Sequence, residues 1–239
     1  MAGRLFALLL PCECVLCAAP GPALLCAHCR DEYFGPAALI ARCPVCANPL
    51  PAGHAASARS AQVCARCLRT PPSYDATLAA CSYELPLDRL VLQLKFGARL
   101  AHGRLFGELL AAAAVARGAA LPALLCPVPL GDERLAGRGF NQALQLARQL
   151  APAKTAPRLL LRVRNTSSQS ALDKAARRAN VKGAFGIEPL RQAELRNKKV
   201  VLVDDVMTSG ASLHAAAEAV KQAGAARVSA LVLARTDPP

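Results

Sequence analysis

The sequence is poor in aromatic residues and contains no tryptophan. Phe, Tyr and Trp together make up 4% of the 239 residues, whereas apolar residues as a whole make up 54%. The chain can therefore bury a sizeable core, built from Ala, Leu and Val, and an intrinsically disordered protein is excluded. The shortage of aromatic rings also leaves few platforms on which nucleic-acid bases could stack.

A membrane-spanning segment and a clear secretory signal are also missing from the sequence. No uncharged apolar run reaches the roughly 18 residues that a helix needs to cross a bilayer. Residues 5–10 form a short apolar stretch, but no small-residue cleavage site follows it cleanly. We therefore expect a cytoplasmic protein with no membrane span; the sequence does not indicate an oligomeric state.

Acidic residues are scarce relative to basic ones. The chain has 16 Asp and Glu against 29 Lys and Arg, which gives a net charge of +13. Such a surface attracts anions, and it predicts a partner among phosphorylated small molecules, nucleic acids or acidic lipids. The alternative is that the charge serves solubility alone.

Cysteine, in contrast, is abundant near the N-terminus. Nine of the 11 cysteines lie in the first 67 residues, and an odd total does not favour a fully paired disulfide scaffold. Two C-x-x-C pairs can supply four thiolates to one tetrahedral zinc ion, so four pairs predict two closed structural zinc sites. We expect consecutive pairs to share a site; pairing the first with the third and the second with the fourth is the alternative. The eight predicted ligands are Cys14, Cys17, Cys26, Cys29, Cys43, Cys46, Cys64 and Cys67.

Several residues around these pairs carry secondary predictions. Ala18 and Ala47 follow the second cysteine of their pairs, a position that favours glycine because φ can be positive there, so we expect slightly rearranged turns. Because eight thiolates suffice for two sites, His28 is predicted to be a surface residue rather than a ligand. Cys81 and Cys126 lie in predicted strands and are expected to be buried apolar residues.

The sequence changes character near residue 72. Residues 1–72 are rich in Cys, Pro and Gly, whereas residues 73–239 alternate predicted strands and helices. This alternation predicts an α/β domain over 73–239, with a mostly parallel sheet covered by helices on both faces, preceded by a small cysteine module over 1–72. Strands are predicted at 77–83, 124–128, 199–203 and 227–234, and helices near 87–94, 104–117, 141–150 and 212–222. Residues 130–139 are predicted to form a loop and residues 158–182 a basic, solvated excursion.

Residues 200–212 carry the strongest functional signal. Asp204 and Asp205 follow a run of four apolar residues that predicts a buried central strand, and ligands bind at the carboxyl ends of such strands. A small turn containing Thr208 and Ser209 then opens a helix, where hydroxyls and backbone N–H groups suit a phosphate. Carboxylates only accept hydrogen bonds, so they suit the vicinal hydroxyls of a sugar. A helix-capping role would explain one hydroxyl but not the two adjacent acids. A sugar phosphate would use both the hydroxylated turn and the pair of acids.

This stretch resembles the phosphoribosyl pyrophosphate (PRPP) motif of type I phosphoribosyltransferases. The segments C-P-V-P-L at 126–130 and R-G-F-N-Q at 138–142 also resemble the ComF family, as do L-K-F at 94–96 and A-F at 184–185. The cysteine module is similar to the double zinc ribbon of longer ComF proteins. The resemblance covers nearly the whole chain and implies a type I phosphoribosyltransferase-like fold behind a double zinc ribbon.

The resemblance implies roles for particular residues. Asp204 and Asp205 would hold the ribose hydroxyls as the catalytic pair. The 5′-phosphate would lie against Val206, Met207, Thr208, Ser209, Gly210, Ala211 and Ser212. The pyrophosphate, arriving with Mg²⁺, would face Pro129, Leu130, Arg134 and Arg138. The basic excursion stands in the place of a loop that closes over such sites, and its candidate anion contacts are Arg164, Lys174, Arg177 and Arg178. A solvated charged loop is the alternative.

Three functions follow from the resemblance. The first is a Mg²⁺-dependent phosphoribosyltransferase, whose acceptor the sequence does not identify. The second is a nucleic-acid-binding competence protein, because ComF proteins are associated with natural transformation by single-stranded DNA; a competence helicase is then an expected partner. The third is a PRPP sensor without a reaction. We expect a PRPP-binding protein of the ComF type that takes part in uptake of single-stranded DNA.

Overall fold

A computed structural model describes residues 12–35, 40–51, 62–97, 99–119, 124–164 and 181–237. Its strands are β1 (Cys12–Glu13), β2 (Pro20–Gly21), β3 (Ala76–Ser82), β4 (Leu124–Pro127), β5 (Leu160–Arg162), β6 (Phe185–Ile187), β7 (Lys199–Met207) and β8 (Arg227–Arg235). Its helices are α1 (Ala27–Phe34), α2 (Ala65–Arg69), α3 (Leu87–Gly97), α4 (Ala101–Ala116), α5 (Asp132–Arg138), α6 (Gln142–Leu150) and α7 (Ala211–Gln222), with 3₁₀ turns at Pro152–Lys154 and Pro189–Leu195. None of the helices in these ranges combines the length and the apolarity needed to cross a membrane.

The centre of the fold is a four-stranded parallel sheet in the order β3-β8-β7-β4. β7 and β8 pair from Lys199 opposite Arg227 to Met207 opposite Arg235. The apolar start of β7 suits an inner strand of a parallel sheet, since both of its faces are covered. The predicted α/β class with a parallel sheet is confirmed.

Helices cover the sheet on both faces, and the buried side chains form one cluster on each face. Leu90 of α3, Phe106 of α4 and Leu146 of α6 belong to one cluster. Leu213 and Val220 of α7 belong to the other, together with the β5–β6 pair. Because successive strand residues point to opposite faces, each inner strand contributes to both clusters.

The two halves of the cysteine-rich segment pack on opposite faces of this sheet. Cys14 and Cys29 are buried with the α3, α4 and α6 cluster. Cys43, Cys46 and Cys67 are buried with the α7 cluster. The cysteine-rich segment therefore shares its buried residues with the α/β part, while the domain boundary at residue 72 stays a prediction.

Residues 130–139, predicted to be a loop, contain the helix α5. Asp132 and Glu133 lie in its first turn and Arg138 in its last, an arrangement that complements the helix dipole. Gly139 ends the helix with a φ of 78°. The loop prediction is wrong because the segment is too polar to show an apolar periodicity, although its charges are placed as a helix requires.

Both ends of the excursion predicted over 158–182 are buried rather than solvated. Leu159, Leu160 and Val181 are buried, with 0%, 2% and 1% of their surfaces exposed. Leu160 begins β5, which pairs antiparallel with β6 so that Arg162 lies opposite Phe185. The ends of the excursion are therefore part of the core, and residues 165–180 lie outside the described residues.

Candidate functional site

Asp204 and Asp205 lie within β7, which continues four residues beyond its predicted end at Val203 and reaches Met207. The side chain of each acid accepts a hydrogen bond from the backbone of the next residue. The N–H of Asp205 donates to Asp204 Oδ1 at 2.9 Å, and the N–H of Val206 donates to Asp205 Oδ1 at 2.7 Å. Each acid therefore has one oxygen satisfied by the backbone and a second oxygen that is not used by the strand.

A lysine from α3 reaches this pair of acids. Lys95 Nζ lies 2.9 Å from Asp205 Oδ2, and both side chains are largely buried. Burial, followed by the negative charge of Asp205, raises the pKa of Asp204 to about 8. Lys95 lies in the L-K-F segment, but the sequence did not identify it as a site residue, since 110 positions separate it from Asp205.

Two arginines interact electrostatically with the acids, Arg138 with Asp205 and Arg162 with Asp204. Arg138 lies 5.4 Å from the centre of the Phe96 ring and donates to Gln142 Oε1 at 2.9 Å. Burial lowers the pKa of Arg138, whereas the charge of Asp205 acts to raise it. The guanidinium of Arg162 lies 5.4 Å from the centre of the Phe185 ring. Burial lowers its pKa too, and it interacts electrostatically with Arg134 and Asp204.

The structure thus brings the predicted Arg138 into the electrostatic neighbourhood of Asp205, and the predicted Arg134 into that of Arg138 and Arg162. Arg162 was not predicted, because it lies in β5, at the edge of a segment whose many basic residues look alike in sequence. The A-F segment at 184–185 is a sequence signal whose aromatic residue lies against Arg162. Cationic groups and carboxylates therefore share one end of the sheet.

The loop after β4 is held in place by an asparagine of the R-G-F-N-Q segment. Asn141 Nδ2 donates to the carbonyl of Val128 at 3.0 Å, and its Oδ1 accepts from the N–H of Ala143 at 2.9 Å. One side chain thus caps α6 and fixes the chain immediately before Pro129. Pro129 and Leu130 are half-buried in this loop, and their predicted contact with pyrophosphate stays a prediction.

Residues 208–210 form the predicted phosphate loop between β7 and α7. Gly210 has a φ of 77°, and a Cβ there would lie 2.6 Å from Met207 Cε and 2.9 Å from the Tyr74 hydroxyl. Within the described ranges, no acceptor pairs with the backbone N–H of Thr208, Ser209 or Gly210. Three successive N–H groups are therefore available to a ligand, as an anion-binding turn requires.

The eight cysteines of the four C-x-x-C pairs gather into two groups of consecutive pairs. In each group the four Sγ atoms lie within 4.8 Å of one another. The Sγ atoms of Cys17 and Cys26 are 3.8 Å apart, and those of Cys46 and Cys64 are 3.6 Å apart. A tetrahedron with Zn–S bonds of 2.3 Å has edges of about 3.8 Å. Both groups therefore fit zinc, and the alternative pairing of first with third is not found.

The turns of the cysteine pairs are regular, so the expectation of rearranged turns is wrong. Ala18 and Ala47 have φ values of 59° and 55°. Their N–H groups donate to the carbonyls of Cys14 and Cys43, each at 2.8 Å. Alanine thus adopts the left-handed conformation, at a cost of about 1–2 kcal/mol, because closing the turn around four sulfurs fixes the backbone.

The remaining predicted residues are placed as follows. Arg164 is exposed and its Nη2 donates to the Lys182 carbonyl at 2.6 Å, which joins the two ends of the excursion. His28 is exposed, Cys81 is partly buried and Cys126 is buried. Three predicted anion contacts lie outside the described residues: Lys174, Arg177 and Arg178.

The chain is similar to several characterised proteins. The phosphoribosyl transferase domain family matches residues 135–238, a range that contains the acids and the phosphate loop. The DNA utilization protein YhgH of Salmonella typhi is 34% identical over 204 residues, covering 82% of this chain and 85% of that protein. Competence protein F of Haemophilus influenzae is 32% identical over 223 residues, covering 88% and 96%. Competence protein ComFC of Bacillus subtilis is 35% identical over 114 residues, covering 47% and 45%.

Proposed function

Because this chain belongs to the ComF family of competence-related, phosphoribosyltransferase-like proteins, we propose that it binds PRPP at the carboxyl end of β7. One observation carries the proposal: three N–H groups at 208–210 that have no acceptor among the described residues directly follow two acids. Each acid has one oxygen that the strand does not use, and that of Asp205 is paired with Lys95. The N–H groups suit the 5′-phosphate, and the acids suit the ribose hydroxyls. Arg134 and Arg138 supply positive charge for the pyrophosphate.

Mg²⁺ enters this site with PRPP. Among the residues that the structure describes, groups of three or more possible metal ligands occur only in the cysteine clusters, so the acids do not form a cage of their own. Mg²⁺ commonly binds through substrate phosphates and one or two carboxylates. The ion would neutralise charge on the pyrophosphate, and Asp204 or Asp205 could complete its coordination.

The reaction that such a site supports is displacement at the ribose C1. The bond from C1 to pyrophosphate breaks, pyrophosphate leaves with the electron pair, and C1 bonds to the acceptor. Positive charge grows on the sugar near the acids while negative charge grows near the arginines, so each end is stabilised electrostatically. A PRPP sensor with the same site and no transfer is the alternative. Pyrophosphate release from PRPP with a panel of bases, amines and DNA separates the two.

The acids provide the direct test of PRPP binding. Replacing both, Asp204→Asn and Asp205→Asn, is expected to abolish PRPP binding measured by calorimetry in the presence of Mg²⁺. The matched control replaces the exposed neighbours Asp31 and Glu32 with their amides, which leaves binding unchanged. Binding of the Asp204/Asp205 variant at the wild-type affinity would refute the site assignment.

The two cysteine clusters are proposed to hold structural zinc. Four thiolates close the coordination sphere and leave no position for water, so a catalytic role is not expected. The sulfur spacings in both clusters support this assignment. Metal analysis of the purified protein should give two zinc ions per chain.

A second function, binding of single-stranded DNA during uptake, is favoured by the charge and by the relatives. The net charge of +13 attracts a phosphate backbone, and the names of two relatives refer to DNA utilization and competence. Both functions place the protein in DNA uptake, with PRPP as ligand and DNA or a competence helicase as partner. Cytoplasmic location is part of the same proposal.

A further inference from the structure

A single buried arginine connects the phosphate loop to the second cysteine cluster. Arg235, at the end of β8, is 1% exposed. Its Nε donates to the carbonyl of Cys46 at 3.1 Å and its Nη2 donates to Asn48 Oδ1. Its Nη1 donates to the carbonyl of Met207 at 2.9 Å and also to that of Thr208. One guanidinium therefore ties the C-x-x-C turn of Cys46 to the start of the phosphate loop.

A second arginine extends this connection by one peptide. Arg66 lies between Cys64 and Cys67 of the second cluster, and its Nη2 donates to the carbonyl of Ser209 at 2.9 Å. The carbonyls of three successive residues, 207, 208 and 209, are thus held by arginines that are anchored at the second cluster. Hydrogen bonds of this kind, with a charged donor, are about twice as strong as neutral ones.

The geometry of the peptide bond converts this into an effect on the ligand side. In a trans peptide the N–H points away from the C=O of the preceding residue. Holding three carbonyls toward the arginines therefore turns the N–H groups of Thr208, Ser209 and Gly210 the opposite way. These are the N–H groups for which the described residues offer no acceptor.

The first cysteine cluster shows no comparable connection within the described ranges. The two clusters repeat the same C-x-x-C pattern, but His28 stands where the second has Arg66, and Ala19 stands where it has Asn48. Arg30, next to Cys29, lies 4.0 Å from Glu108 of α4, on the other face of the sheet. In the described part of the chain, no hydrogen bond or ion pair links residues 12–35 to the phosphate loop.

We propose that the second cysteine cluster orients the backbone donors of the phosphate loop through Arg66 and Arg235, so that its metal controls phosphate affinity while the metal of the first cluster does not. The proposal rests on the proposed PRPP binding. Both arginines are positioning residues. Without the ion, the turns that carry Cys46, Asn48 and Arg66 lose their common anchor, and the three peptides are free to rotate.

Arg66 is the residue to change, because it is half-exposed and its loss spares the core. In the full-length zinc-loaded protein, Arg66→Ala is expected to raise the Kd for PRPP about tenfold, as the loss of one charge-assisted hydrogen bond implies. Backbone hydrogen exchange at Thr208, Ser209 and Gly210 should accelerate in the same variant. Arg66→Lys, which keeps the charge, should recover part of the PRPP affinity and part of the protection from hydrogen exchange. His28→Ala, the positional counterpart in the first cluster, should change neither.

The outcomes separate this inference from the proposed function. If the wild-type protein binds PRPP and Arg66→Ala does so equally well with unchanged exchange, the positioning role is refuted and PRPP binding stands. If the wild-type protein does not bind PRPP, the proposed function fails, and the exchange rates alone decide the positioning role. An equal loss of affinity in His28→Ala would overturn the asymmetry between the clusters.

Discussion

At the scale of single residues, the site is built from charges that come from distant parts of the chain. Asp204 and Asp205 are neighbours, but Lys95 approaches from α3 and Arg162 from β5. The sequence identified the acids because they are adjacent and follow an apolar strand. It could not identify Lys95 or Arg162, because their partners are set by packing and no local pattern encodes them.

The raised pKa of Asp204 predicts that ligand affinity depends on pH. The ribose hydroxyls need an ionised acceptor, so PRPP affinity should increase between pH 7 and 9, as Asp204 loses its proton with a pKa of about 8. One pH unit below its pKa, a carboxyl group is only about 10% ionised. Its full ionisation can therefore raise the PRPP affinity by up to about tenfold. Calorimetric titrations in this range, where the phosphate groups are already ionised, measure the effect.

Asp204→Asn provides the control, because the residual PRPP affinity of this variant should not vary over this pH range.

The free energy of unfolding should change with pH in the direction opposite to the PRPP affinity. The pKa of Asp204 is higher in the folded than in the unfolded state, so the folded state binds more protons between about pH 4 and 8. The free energy of unfolding from this group therefore falls as the pH rises. An affinity that declines toward pH 9 would contradict the assignment.

At the scale of elements, the junction between β7 and α7 does most to form the site. The sequence predicted the strand and the helix but ended the strand four residues early, because carboxylates seldom continue a buried strand. It also predicted a loop where α5 forms. In both places polar residues serve the site or the helix ends, and apolar periodicity, on which the prediction rested, does not register them.

The junction allows no side chain at Gly210. The Cβ of Gly210→Ala would lie 2.6 Å from Met207 Cε and 2.9 Å from the Tyr74 hydroxyl oxygen. The backbone at this position also has a positive φ, which alanine disfavours. Such strain costs about 1–3 kcal/mol, so we expect a lower thermal midpoint together with loss of PRPP binding. Gly137→Ala is the matched control, since Gly137 lies in the exposed α5 with nothing near its missing Cβ; it should leave PRPP binding unchanged and should not lower the thermal midpoint, because alanine favours a helix over glycine. A Gly210 variant with wild-type affinity would show that the loop tolerates a different shape.

At the scale of the whole molecule, cysteines of both clusters are buried together with residues of the α/β part. The spacing of the cysteines predicted two clusters, and the structure groups them as expected. The spacing could not predict that the clusters lie on opposite faces of the sheet, or that, among the described residues, the second cluster is the one linked to the phosphate loop. Those facts depend on the path of the chain and on Asn48 and Arg66, which look ordinary in sequence.

The net charge predicts that binding of single-stranded DNA depends on salt concentration. If the phosphate backbone supplies the affinity, the logarithm of the association constant for single-stranded DNA should fall linearly with the logarithm of salt concentration, by about 0.7 per phosphate neutralised. Fluorescence anisotropy with a labelled oligonucleotide at several salt concentrations measures the slope. The Asp204/Asp205 double amide variant should retain this binding, because it removes only negative charge. An affinity that does not respond to salt would exclude the electrostatic interpretation.

The β5–β6 pair has a practical consequence for the segment between its strands. With Arg162 opposite Phe185, and Arg164 bonded to the Lys182 carbonyl, residues 162–164 and 182–185 are held side by side in the fold. The entropy of closing a surface segment grows only slowly with its length. A change in the number of residues between Arg164 and Lys182 is therefore expected to change the free energy of unfolding only slightly, by about 0.6 kcal/mol for each doubling of the segment.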